Sequence, residues 1–199
     1  MSKYDTSLEM LFVSKVRIKS LKYFLLNPGS KIHLRGAVRE FKEEINAVRR
    51  ELLRLEEMAL LKTETGGNRK YFFLNIEHPF IDELISMFHK SYGIGSEIIN
   101  NSRKLGTIDY AILTPSYTKM AYYGSQVIDM AIIGVVDMHL LSSIVKEFES
   151  DFGREIHYTV LKPSEFQIRK RRKDDFIMNL MIQDVVMLLG NHEDFIKEK

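Results

Sequence analysis

The sequence predicts an α+β protein in two parts: a basic, mostly helical part closed by a β-hairpin, then a mildly acidic α/β part. Three observations carry that expectation. Residues 1–78 hold 15 of the 29 Lys and Arg but only 10 of the 27 Asp and Glu, a net +5 that leaves −3 for residues 79–199. Apolar residues in the first part recur every three or four positions, then give way to two short β-type runs around a glycine-rich segment. After Gly106, strand-like runs alternate with amphipathic stretches. A basic half joined to an acidic one suits a polyanion binder attached to a domain of another kind.

Within residues 11–26, Leu11, Phe12, Val16, Leu21, Phe24 and Leu25 fall at helical spacing, with Lys15, Arg17, Lys19 and Lys22 between them. Asn27-Pro28-Gly29 stops that helix. A second helix is expected over 33–41 and, after the connection 42–44, a third over 45–58. Ile45, Val48, Leu52, Leu55 and Met58 or Ala59 mark the buried stripe of the third helix, while Asn46, Arg49, Arg50 and Arg54 occupy other faces. Residues 60–63 and 71–74 read as strands. The segment between them, 64–70, is a glycine-rich hairpin tip carrying Arg69 and Lys70.

Three helices followed by a basic hairpin are the parts of a winged helix-turn-helix, whose third helix enters the major groove while the hairpin reaches backbone or minor groove. Residues 13–75 resemble winged-helix transcription regulators of the arsenical-repressor type. Asn46-Ala47-Val48-Arg49-Arg50-Glu51-Leu52, Leu60-Leu61-Lys62 and Asn68-Arg69-Lys70-Tyr71 carry that resemblance. It implies double-stranded DNA as partner. Asn46, Arg49 and Arg50 are then expected to contact bases in the major groove, Arg54 a flanking phosphate, and Asn68, Arg69 and Lys70 to contact DNA from the wing. The alternative is a solvated helix face, with Arg49, Arg50 and Arg54 paired to Glu51, Glu56 and Glu57. The winged-helix domain is placed at 1–77 and a helical connector at 78–105. Leu84, Ile85, Phe88, Ile98 and Ile99 of the connector either build a dimer seam or pack on their own domains. A homodimer is expected, because regulators of this type bind twofold-related half-sites. Gly93-Ile94-Gly95 lacks the strand and third glycine of a dinucleotide fingerprint and reads as a hinge.

The second domain is expected at 106–199, with strands at 108–114, 127–134 and 156–161. An amphipathic helix over 137–152 is capped by Asp137 and stopped by Gly153, another helix starts at Pro163, and 185–189 is either a last strand or a helix end. Leu113-Thr114-Pro115-Ser116-Tyr117, followed by Gly124-Ser125-Gln126-Val127-Ile128-Asp129-Met130, resembles the minimal nucleotidyltransferase domain of the DNA polymerase beta superfamily. In the active family a Gly-Ser pair holds nucleotide phosphates, and an Asp-x-Asp pair with a third carboxylate binds magnesium. Here Pro115 replaces the glycine, Val127 replaces the first aspartate, and the later strand offers His157 and Thr159. The resemblance therefore implies a degenerate domain that senses a ligand, a nucleotide-like one among the candidates, or serves dimerisation. Ser116, Tyr117, Ser125 and Asp129 would form the vestigial nucleotide pocket, with Tyr122 and Tyr123 beside it. No catalytic residue is expected; Asp109 and Glu155 are the carboxylates that could compensate. The alternative is an active magnesium-dependent nucleotidyltransferase that uses the winged helix to recognise its target.

The remaining features exclude classes. With no cysteine there is no disulfide framework, thiolate metal site or cysteine nucleophile. The six histidines have no paired ligand spacing, so neither a metal site nor a cofactor is expected. No apolar run nears the ~20 residues that cross a bilayer, and the start of the chain lacks the pattern of a signal peptide. A cytoplasmic protein without a membrane partner is expected. The run Arg169-Lys170-Arg171-Arg172-Lys173 reads as a solvated helical face or a second phosphate-contacting patch.

Overall fold

The computed structural model describes residues 3–120 and 128–197. The chain is a mixture of helices and two small sheets and divides into two compact units, 1–91 and 92–199. The division falls within the expected connector, between Ser91 and Tyr92. No helix among the described residues is long and apolar enough to cross a membrane.

The first unit runs α1 (Lys3–Phe12), α2 (Lys15–Leu26), β1 (Lys31–His33), α3 (Leu34–Phe41), α4 (Ile45–Glu57), β2 (Leu61–Gly66), β3 (Arg69–Leu74) and α5 (Ile81–Ser91). The single helix expected over 11–26 is two. Val13 takes a positive φ of 51°, and the Ser14 side chain caps α2 by accepting the Arg17 N–H. A local cap thus overrides a continuous apolar pattern, and Leu11 is left exposed. The core is the inner face of α2 (Leu21, Phe24, Leu25), Ala37 and Phe41 of α3, and Val48, Leu52 and Leu55 of α4. Full burial of a leucine such as Leu52 contributes about 1.5–3 kcal/mol.

The expected stripe of α4 is correct at its centre and wrong at its ends, since Ile45 and Met58 are exposed. Glu51 is instead buried within it, one helical turn after Val48. Its carboxylate accepts from Arg17 Nε at 2.7 Å and lies 3.4 Å from Arg54 Nη1, so the buried charge is paired.

β1 was not expected. It pairs antiparallel with β3, making a three-stranded sheet of order β1-β3-β2. The hairpin is also longer than its expected tip: Gly66 pairs with Arg69 and Thr65 with Lys70, leaving a two-residue turn at Gly67-Asn68. Gly67 supplies φ +59°, a conformation that costs a residue with a Cβ.

The second unit runs α6 (Gly93–Leu105), β4 (Gly106–Leu113), α7 (Pro115–Thr118), β5 (Met130–Val136), α8 (Met138–Phe152), β6 (Tyr158–Leu161), α9 (Pro163–Arg171), α10 (Asp175–Ile182), β7 (Val186–Leu189) and α11 (His192–Ile196). Its sheet has the order β6-β5-β4-β7, with β5 and β6 parallel and the other pairs antiparallel. Of residues 185–189, 186–189 are therefore a strand. Asp137 caps α8 and Gly153 ends it, as expected. Ile112, Ala131 and Ile133 face Phe166, Ile177, Leu180 and Phe195 of the later helices. Their alternates Leu113, Met130 and Ile132 are equally buried, so both faces of the sheet are covered. At Gly134 the β4 backbone comes so close that a Cβ would overlap the Thr107 carbonyl oxygen. Ile85, Phe88 and Ile98, offered as a dimer seam, are already buried in the single chain.

Candidate nucleic-acid interface

α4 begins where Glu44 accepts the backbone N–H groups of Asn46 and Ala47, each at 2.9 Å. Those donors, with the helix N-terminus behind them, hold the Glu44 carboxyl below its ordinary range. Glu44 also accepts the Asn46 Nδ2 donor at 3.0 Å. The side-chain amide expected to read a base is thus half engaged, with its oxygen still open. Asn46, Arg49, Arg50 and Leu53 share the outward face of the helix, all exposed.

The expected cations divide into two groups. Arg54 leans on Glu51, and Lys70 Nζ pairs with Glu56 Oε2 at 2.7 Å while lying 5.4 Å from the Phe72 ring centre. Glu56 accepts Thr63 Oγ1 as well, so one carboxylate ties both hairpin strands to α4. The Lys70 hydrogen bond holds the Glu56 carboxyl below its ordinary range. By contrast Arg49 and Arg69 have no ion pair among the described residues. Of the expected pairing of Arg49, Arg50 and Arg54 with acids on α4 itself, only Arg54–Glu51 forms; Arg50 lies in the field of Glu44.

Sequence reasoning missed Arg35 and His33. His33 ends β1 and caps α3, its Nδ1 accepting the Gly36 N–H at 3.0 Å. Its Nε2 lies 3.3 Å from Arg69 Nη1. A neutral imidazole has one acceptor nitrogen, and here Nδ1 is that acceptor. Nε2 therefore carries the proton, and its contact with the guanidinium is proximity between donors. Arg35 follows in the first turn of α3, exposed and without an ion pair among the described residues. A His as helix cap next to a β-bridge leaves no obvious trace in a sequence.

These groups surround one cleft of about 540 Å³ between the start of α3, α4 and the hairpin. Arg35, Arg49, Arg69 and Lys70 line it together with Asn68 and His33; Leu34, Leu53 and Phe72 give it an apolar surface. None of the lining residues is acidic. Lys70 is paired with Glu56, and the other three cations, Arg35, Arg49 and Arg69, without an ion pair among the described residues, form a site of positive potential, which attracts polyanions.

In the second unit, Ser116 and Asp129 meet. Ser116 Oγ donates to Asp129 Oδ1 at 3.2 Å, and the His157 N–H donates to Oδ2 at 3.0 Å. Arg154 completes the cluster: it donates to the carbonyls of Tyr117 and Ser116 at 3.1 and 3.3 Å and lies 3.6 Å from Asp129. Its guanidinium carbon sits 4.2 Å from the Tyr117 ring centre. Ser116, Tyr117 and Asp129 are all buried, and burial raises the Tyr117 phenol above its ordinary range. Ser125, Tyr122 and Tyr123 lie outside the described residues. Asp109 is exposed at the β4 bulge, four residues before the strand ends, roughly 13 Å along the strand from the Asp129 end. No group of three metal-ligating side chains forms among the described residues.

Comparison with protein-family models, curated proteins and solved structures gives no match to this chain.

Proposed function

We propose that this chain is a sequence-specific double-stranded DNA-binding transcriptional regulator that acts as a dimer. In this reading the first unit is a winged helix-turn-helix, with α4 as recognition helix and the β2–β3 hairpin as wing. The observation that carries it is the acid-free cleft, where arginines from α3, α4 and the hairpin converge beside the exposed Asn46–Arg49–Arg50 face. Arginine on an exposed helix face can pair bidentately with guanine, and wing cations can grip the backbone. The second unit is a nucleotidyltransferase-like domain with a ligand-sensing or dimerisation role. Its surviving aspartate accepts hydrogen bonds from Ser116 and from the His157 backbone, which leaves a poor ligand for magnesium.

The test is selection of bound fragments from sheared genomic DNA at near-physiological salt, beside an Arg49→Ala/Arg50→Ala double variant. Enrichment of a twofold-symmetric site by the parent and not by the variant supports the proposal. No enrichment at any salt concentration refutes it, and equal enrichment by the variant refutes the role given to α4.

A further inference from the structure

The same cleft has a property that a phosphate backbone does not call for. Its rim is cationic, yet much of its surface is made by the side chains of Leu34, Leu53 and Phe72. Leu53 stands on the outward face of α4, 46% exposed, among Asn46, Arg49 and Arg50. A leucine there leaves apolar surface in water and gains from being covered. The volume, about 540 Å³, lies within the range of small-molecule sites, which combine an apolar lining with a few placed polar groups.

We propose that the cleft binds a small anion with an apolar body: a carboxylate, sulfonate or phosphate monoester on an aromatic or branched aliphatic group. The body covers Leu34 and Leu53, beside Phe72, which is itself already buried. The anionic head meets Arg35 and Arg69, whose guanidinium groups have no carboxylate partner among the described residues. Charge complementarity selects the head and the apolar surface selects the body. Resting on the DNA-binding reading above, the consequence is direct competition: the ligand occupies guanidinium groups that the duplex also uses, so it releases DNA without any change of fold.

The probe is 8-anilino-1-naphthalenesulfonate, which carries one sulfonate on an aromatic body and becomes fluorescent when its rings leave water. Full-length parent protein, Leu53→Lys, Leu53→Gln and Arg35→Ala are titrated, with inorganic phosphate as a headgroup without a body. Saturable binding to the parent is expected, weakened about tenfold by Arg35→Ala and by either Leu53 substitution. Leu53→Lys is the discriminating variant, because it adds a cation while removing the apolar surface. Undiminished or tighter binding by Leu53→Lys, absence of saturable binding to the parent, or displacement by inorganic phosphate at the probe's own concentration overturns the site. Leu53→Gln, uncharged and helix-compatible, decides the matter if the lysine variant fails to fold. A duplex selected as above should displace the probe. A duplex that binds without displacing it overturns the competition, whereas a failure of all duplexes to bind refutes the DNA reading and leaves the probe result to judge the site.

Discussion

Ser116 Oγ donates a hydrogen bond to Asp129 Oδ1 across 3.2 Å, joining α7 to the residue before β5. Asp129 is 4% exposed, and the His157 N–H and Arg154 share its charge. The carboxylate therefore acts as a tie between three chain segments. Asp129→Ala should cost about 3 kcal/mol of stability, because it leaves the His157 N–H and the Ser116 hydroxyl without their acceptor and Arg154 without its counter-charge. Asp129→Asn, which keeps one acceptor oxygen, should cost less. Urea denaturation of the two variants measures the difference. Equal stability of Asp129→Ala and the parent would refute the structural role.

Glu51 plays the corresponding part in the first unit. It is 4% exposed and shared by Arg17 and Arg54. Glu51→Ala should destabilise by about 3 kcal/mol, since it leaves the half-buried Arg17 unpaired. Arg54→Ala should cost less than 1 kcal/mol, its longer contact being more exposed. Thermal or denaturant melting separates the two, and a reversed order would show that Arg54 is the main partner.

The Glu56–Lys70 pair links hairpin position to charge. Because the folded-state pKa of Glu56 lies below its ordinary value, its contribution to stability is present above the unfolded value. That contribution is lost as pH falls through the folded value. Parent and Glu56→Gln should therefore converge in stability in acid and diverge as the pH rises past the ordinary carboxylate range. The same substitution releases Lys70 to the cleft, so, on the proposed DNA-binding reading, near neutrality it should steepen the salt dependence of that binding by about one unit of slope. An unchanged slope would mean that Lys70 is not restrained by Glu56.

The basic run 169–173 is split by its fold. Lys170 is buried, with Nζ donating to the Phe195 carbonyl and lying 5.4 Å from the Phe166 ring centre. Arg169 pairs with Glu165 at 2.7 Å. Lys170→Met should cost about 1–2 kcal/mol by leaving a buried carbonyl unsatisfied, whereas Lys173→Ala, at an exposed position, should stay within about 0.5 kcal/mol of the parent. Melting curves test both. If Lys173→Ala costs as much as Lys170→Met, the inward turn of Lys170 is not what stabilises α11.

Elements with strong local signals were legible. Asp137 and Gly153 bracket α8 because a short acid that caps backbone N–H groups and a glycine in the left-handed region act within a few residues. The core of α4 followed from period alone. Less legible was the break at Val13, where one serine cap decides against a longer apolar pattern. β1 was also hidden, because three residues hold no period and exist as a strand only through pairing with β3.

The candidate site divides along the same line. The sequence by itself determined which residue types are available: the exposed arginines of α4, the cations of the hairpin, and a serine and an aspartate at the ends of neighbouring strands. Tertiary structure alone decided their condition. It paired Lys70 and Arg54 with carboxylates, left Arg49 and Arg69 without an ion pair among the described residues, brought Arg35 and His33 to the same cleft, and placed Arg154 against Asp129. The physical reason is that a charge is neutralised by partners within a few ångströms, and those partners lie 14 residues away in the case of Glu56 and 25 in the case of Asp129. Periodicity reports which face a side chain occupies; only the packed chain sets what stands opposite it.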